Sequence, residues 1–263
     1  MLKRLFAFFL AFCTCFPPFA GVAAVLESLD VPPQAAAAGF DHLIFSEDFG
    51  APIDSGAYGG GSHKWYMLPT LGVPLSPTAM AIEDGRIIFT TPEGHRRGLS
   101  SRISTISGTR ERDSSFLFRF GYIEARMRFD GNMDNWAAFW LLGESRHPYP
   151  MNNIKGNWCE IDIVESLDSS RFMATVHDWK DGKSVHNRDH VITVSGVNFN
   201  EWNVFGLRWR EDVIEWYFNG TFVRSAPVPP ICRRERVGII VGAQKQRGES
   251  AQTLEVDYIR VFQ

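Results

Sequence analysis

Apolar and polar side chains alternate along most of this chain, broken at short intervals by turn residues, and that pattern limits the folds open to it. Within residues 116–129, Ile123, Ala125, Met127 and Phe129 share one face, and Tyr122, Glu124, Arg126 and Arg128 the other. Residues 204–210 alternate with Phe205, Leu207 and Trp209 inward, and Ile214, Trp216 and Phe218 follow suit before the Asn219-Gly220 turn. Residues 80–90 read as a hairpin through Glu83-Asp84-Gly85, and 135–142 as a strand buried on both faces. No segment here carries a helical period over three turns. The expectation is an all-β, antiparallel jelly-roll sandwich with a concave face on which a polymer can lie.

One strand breaks the pattern. Trp158-Cys159-Glu160-Ile161-Asp162-Ile163-Val164-Glu165 sets three carboxylates among β-branched residues, and acids are costly on a half-buried surface. Trp158, Glu160 and Asp162 share a face, whereas Glu165 is out of phase by one residue. A bulge at Ile163-Val164 brings it back, so that all three acids enter one cleft.

Composition supplies the address. Lys3-Arg4, an apolar run to Phe16, Pro17-Pro18 and small residues up to Ala24 form a secretory signal pattern over residues 1–24. Residues 25–42 read as a linker and 43–263 as one domain. The expected location is secreted or periplasmic, with no membrane association after signal cleavage and a monomeric state. Without Lys3 and Arg4 the 27 basic residues become 25 against 30 acidic, a formal net charge of −5, which gives no reason to expect a nucleic-acid partner. Cys13 and Cys15 leave with the signal. Cys159 and Cys232 remain, Cys159 facing the core; their pairing is open, and buried free thiols are the plainer reading.

Two carboxylates in one cleft are the minimum for glycoside hydrolysis, one attacking and one protonating the leaving oxygen. Glu160-Ile161-Asp162-Ile163-Val164-Glu165 resembles the bulged E-x-D-x-x-E signature of glycoside hydrolase family 16, of the laminarinase and β-glucanase type. Phe45-Ser46-Glu47-Asp48-Phe49, residues 120–126, 136–142 and 214–220, and the ending 255–261 extend the resemblance in order across 43–263. The resemblance implies retaining endo-hydrolysis of β-1,3 or β-1,3-1,4 glucan, with a polysaccharide as the partner. It casts Glu160 as nucleophile, Asp162 as its assistant and Glu165 as acid/base. It also points to Glu124 and Arg126 as contacts to sugar hydroxyls, and to Trp136, Trp140, Trp158 and His177 as further substrate-binding residues.

No cofactor is required on this reading, and no His/Cys cluster suggests a catalytic metal. The family often carries a structural Ca²⁺, for which Glu47 and Asp257 are weak candidates. Lys245 and Arg247 stand where many β-glucanases have a tryptophan-containing segment. They keep open an acidic exopolysaccharide or a galactan as substrate. A non-catalytic carbohydrate-binding sandwich is the rival from another class, and the intact acid triplet argues against it.

Overall fold

The computed structural model describes residues 30–57, 60–67, 79–91, 93, 100–107, 115–130, 135–146, 156–184, 191–245 and 250–263. The strands are β1 (Leu43–Glu47), β2 (Ser55–Ala57), β3 (Trp65–Met67), β4 (Met80–Glu83), β5 (Arg86–Thr91) and β6 (Ser100–Ser104). Then come β7 (Gly121–Phe129), β8 (Asn135–Gly143), β9 (Asn157–Ser166), β10 (Arg171–Lys180), β11 (Lys183–Ser184) and β12 (Val191–Thr193). The chain ends with β13 (Asn203–Trp209), β14 (Val213–Phe218), β15 (Thr221–Pro227), β16 (Val237–Lys245) and β17 (Gln252–Phe262).

They form two sheets. One runs β15-β14-β13-β7-β17-β5-β4, with β1 also on β17; the other runs β11-β10-β9-β8-β16-β6-β3-β2, with β12 on β10. Pairing is antiparallel except between β2 and β3. Tight turns set the hairpins: Asp84-Gly85 and Asn219-Gly220 have positive φ at both residues, the turn geometry that matches strand twist.

The inward residues of both sheets meet in one apolar core. Ile123, Ala125, Met127 and Phe129 of β7 lie in it with Ala137, Phe139 and Leu141 of β8 and Ile161, Ile163 and Val164 of β9. Phe129, Phe199, Phe205, Phe172 and Phe218 add ring contacts with centroids 5.0–6.3 Å apart. The alternation legible in the sequence therefore builds a jelly-roll sandwich.

Two expectations need correction. The segment 31–42 is not a free linker. A short helix α1 (Pro33–Ala36) buries Ala35 against Tyr122, Tyr217 and Phe262, while Val31 and Phe40 pack beside it. His42 exchanges two backbone hydrogen bonds with Gln263, both 2.9 Å. The apolar outer patch on β7, β14 and β17 needs a cover, and this segment supplies it. Secondly, Cys159 and Cys232 are a disulfide, not free thiols. Cys159 does face the core, but the turn before β16 brings Cys232 to it. The signal pattern over 1–24 and residues 25–29 lie outside the described residues.

Candidate active site

The bulge exists where the sequence placed it. On β9 the step from Asp162 to Glu165 takes three residues, but its neighbours take two. Asp162 faces Trp140 on β8 and Thr175 on β10; Glu165 faces Ala138 and Met173. The extra residue falls at Ile163-Val164, and both side chains are buried in the core. Glu160, Asp162 and Glu165 thus share the outer face of the nine-stranded sheet, as a two-residue alternation alone would forbid.

His177 on β10 lies opposite Glu160. Its Nε2 is 3.0 Å from Asp162 Oδ2 and 3.9 Å from Glu160 Oε1, and its Nδ1 is 3.1 Å from Ser184 Oγ. His177 therefore reaches a carboxylate of the acid cluster. Glu160, Asp162 and His177 each bring one ligand atom within 4.8 Å of the others, a set that could hold a divalent cation.

Burial pushes the Glu160 carboxyl above the usual carboxylate range, and the Asp162 charge beside it adds to the shift; His177 opposes both. Two carboxylates this close keep one proton between them to higher pH than a lone Glu would. Asp162→Asn removes the repelling charge and leaves desolvation. The acid limb of a pH–rate profile should then move to lower pH, because Glu160 loses its proton more readily. A limb that stays in place or moves up would show that Asp162 does not repel Glu160.

The aromatic residues divide differently from expectation. Trp136 and Trp140 both lie half-buried on the outer face of β8, Trp140 directly beside Asp162. Trp158 shares that face but is only 4% exposed. Its ring stacks on Trp179 at 5.4 Å, and the Arg146 guanidinium lies 4.8 Å from its centroid. The expectation of a Trp158 wall open to a sugar is therefore corrected, because its neighbours already cover it. Trp179 is the half-buried ring of that stack and also faces His177 at 5.6 Å. The sequence reading missed it, although His177-Asp178-Trp179 places Trp179 in phase with His177 on one strand.

Glu124 and Arg126 are also corrected. Both sit on β7, in the other sheet, and point away from the shared core. Glu124 is buried and accepts hydrogen bonds from the Tyr122 and Tyr258 hydroxyls, each at 3.1 Å. Arg126 pairs with Asp257 at 2.5 Å and lies 4.8 Å from the Trp202 ring. They belong to a polar ladder on the face opposite the acids. Alternation identified their polar side but not which sheet of the sandwich carries it.

The same ladder bears on calcium. Asp257 is committed to Arg126. Glu47 takes the Lys64 ammonium at 2.9 Å, the Trp65 indole N–H at 2.9 Å and the Phe49 N–H at 3.1 Å. Both carboxylates are thus engaged by side-chain cations rather than facing each other as an open oxygen cage. The Lys245 side chain and Arg247, which motivated an acidic substrate, lie outside the described residues.

The model of glycosyl hydrolases family 16 matches residues 79–229, more than half of the chain. The chain belongs to this family. It is 26% identical over 217 residues to the endo-1,3-1,4-beta-glycanase ExsH of Rhizobium meliloti (strain 1021), covering 77% of this chain and 43% of that protein. EglC of the same organism, also an endo-1,3-1,4-beta-glycanase, is 25% identical over 213 residues, covering 76% and 43%. The chain thus spans less than half the length of these curated relatives. Among solved structures, the laminarinase catalytic domain of Thermotoga maritima MSB8 superposes with a TM-score of 0.66 at 19% identity, covering 84% of this chain and 98% of that one. The endo-beta-1,3-glucanase of Pyrococcus furiosus gives 0.65 at 21%, covering 84% and 93%. At such identities these neighbours speak for the fold.

Proposed function

We propose that this chain is an exported, retaining endo-β-glycanase that hydrolyses β-1,3 or β-1,3-1,4 glucan by double displacement. The observation that carries the reading is the bulge aligning Glu160, Asp162 and Glu165 on one outer face beside Trp140 and His177. Family membership and the printed activities of the glycanase relatives support it. Export rests on the signal pattern of residues 1–24.

Glu165 donates its proton to the glycosidic oxygen as Glu160 attacks the anomeric carbon; the C–O bond breaks and a glycosyl ester forms on Glu160. Glu165, now a carboxylate, takes a proton from water, whose oxygen displaces Glu160 and restores the β configuration. Asp162 takes the shared proton so that Glu160 attacks as a carboxylate, and hydrogen-bonds the charge that returns to Glu160 when water displaces the ester. His177, bonded to Asp162, steadies that exchange. The five-residue step from Glu160 to Glu165 counts as four on a bulged strand, about 13 Å between Cα atoms. Two Glu side chains leaning inward over a bound sugar approach the separation of about 5–5.5 Å that retention needs.

Digestion of laminarin and barley β-glucan, followed by proton NMR of the newborn reducing ends, tests the reading. The β-anomer should appear first and mutarotate later. Initial α-anomer would exclude double displacement, and absence of reducing ends from either glucan would leave the binding-module alternative standing.

A further inference from the structure

The bulge that places Glu165 has a support on the opposite sheet. In a regular strand each carbonyl points sideways to a neighbouring strand. The Asp162 carbonyl, at the start of the bulge, accepts a hydrogen bond, 2.8 Å long, from the indole N–H of Trp216 on β14, across the apolar core. Trp216 is 1% exposed, so that carbonyl has no water to turn to. On β10, Ala174 is the residue facing the bulge, between the Met173–Glu165 and Thr175–Asp162 pairs. Its carbonyl accepts a hydrogen bond from the Arg224 guanidinium, again from the other sheet.

The two donors form one unit. Trp216 and Arg224 are cross-strand partners on β14 and β15, and the guanidinium lies 4.6 Å from the Trp216 ring. No carboxylate among the described residues pairs with Arg224, and burial lowers its pKa. A half-buried arginine without an acid partner is costly unless its donors are used, and here the Ala174 carbonyl uses one.

We infer that Trp216 and Arg224 are positioning residues for the acid/base carboxylate, holding the β9 bulge by hydrogen-bonding the Asp162 carbonyl beside it and the Ala174 carbonyl that faces it on β10. Without the caps, the bulge loses the two hydrogen bonds that reach it from the other sheet, and a regular ladder becomes more competitive. A strand that loses one bulge residue turns Glu165 to the core side but leaves Glu160 and Asp162 facing outward. The defect should therefore resemble loss of the acid rather than loss of the nucleophile. This inference rests on the proposed role of Glu165.

The test compares kcat/KM on laminarin with kcat/KM on 2,4-dinitrophenyl β-laminaribioside, whose leaving group needs no proton. Trp216→Phe, Arg224→Met, Arg224→Lys and the control Glu165→Ala are measured together. Trp216→Phe should lose about 100-fold on laminarin and less than about fivefold on the aryl glycoside, with azide raising its kcat. Arg224→Met should show the same asymmetry at about 10-fold, and Arg224→Lys should restore most of the loss. Equal losses on the two substrates in the Trp216 and Arg224 variants, with the asymmetry present in Glu165→Ala, would overturn the positioning role alone. Equal losses in Glu165→Ala itself would overturn the assignment of Glu165, and this role with it. Should Trp216→Phe not fold, the Arg224 pair decides the question, because Arg224 lies on an edge strand and is only half-buried.

Discussion

Glu160→Gln should lower kcat on β-glucan by about 10,000-fold or more, about 5 kcal/mol of transition-state stabilisation at 1.36 kcal/mol per decade. The amide keeps the shape of the side chain but cannot form the glycosyl ester. Stability should move the other way. The folded protein holds the Glu160 proton more tightly than the unfolded chain does, so ionising it opposes folding. The stability that goes with the bound proton is fully present below the unfolded value of 4.5 and is lost as pH rises through the higher folded value. Wild type should therefore lose Tm relative to Glu160→Gln as pH rises above 4.5. Paired thermal melts and laminarin assays across pH check both halves. Near-wild-type turnover would remove Glu160 from the nucleophile's role, and a variant uniformly less stable would contradict the electrostatic account. A site that is destabilising for the fold and required for the reaction is the expected trade-off.

Loss of the Cys159–Cys232 bond should have the largest effect on stability. The two residues are 73 positions apart, and closing a loop of that size in the unfolded chain amounts to about 4 kcal/mol. The native context adds to this. Glu235, three residues after Cys232, accepts the Cys159 N–H at 2.6 Å and the Ser145 N–H at 3.2 Å. Burial raises its carboxyl to about 7. Gly143 is needed beside it, because a Cβ there would overlap the Glu235 carboxylate. The disulfide and this carboxylate together tie the turn before β16 to the residue preceding the proposed nucleophile. Cys159→Ser/Cys232→Ser should lower the denaturant midpoint by an amount equivalent to about 4 kcal/mol, matched by wild type under reducing agent. A midpoint change of less than about 1 kcal/mol would mean that the bond does not hold this region.

The strand faces were legible because alternation is a local property. Period two assigns Ile123, Ala125, Met127 and Phe129 to one side without knowledge of any partner strand. The bulge was legible for the same reason: three acids with one out of phase, next to two consecutive core residues, fit one chain geometry. Turn chemistry at Asp84-Gly85 and Asn219-Gly220 was equally local.

What the sequence concealed is non-local. Glu124 and Arg126 look like cleft residues until the sheet order separates β7 from β9. Trp158 looks open until Trp179 and Arg146 are laid against it. Residues 31–42 read as linker because four alanines and two prolines carry no period, and the patch they cover is assembled from three distant strands. The same holds for the partners of the acid-bearing strand: Cys232 on the Cys159 side chain, Glu235 on its amide, and Trp216 on the Asp162 carbonyl. Alternation determined that three carboxylates face one way. Only the packing of one sheet on the other decided what holds them there, since a contact between residues 54 or 73 positions apart leaves no periodic trace in either segment.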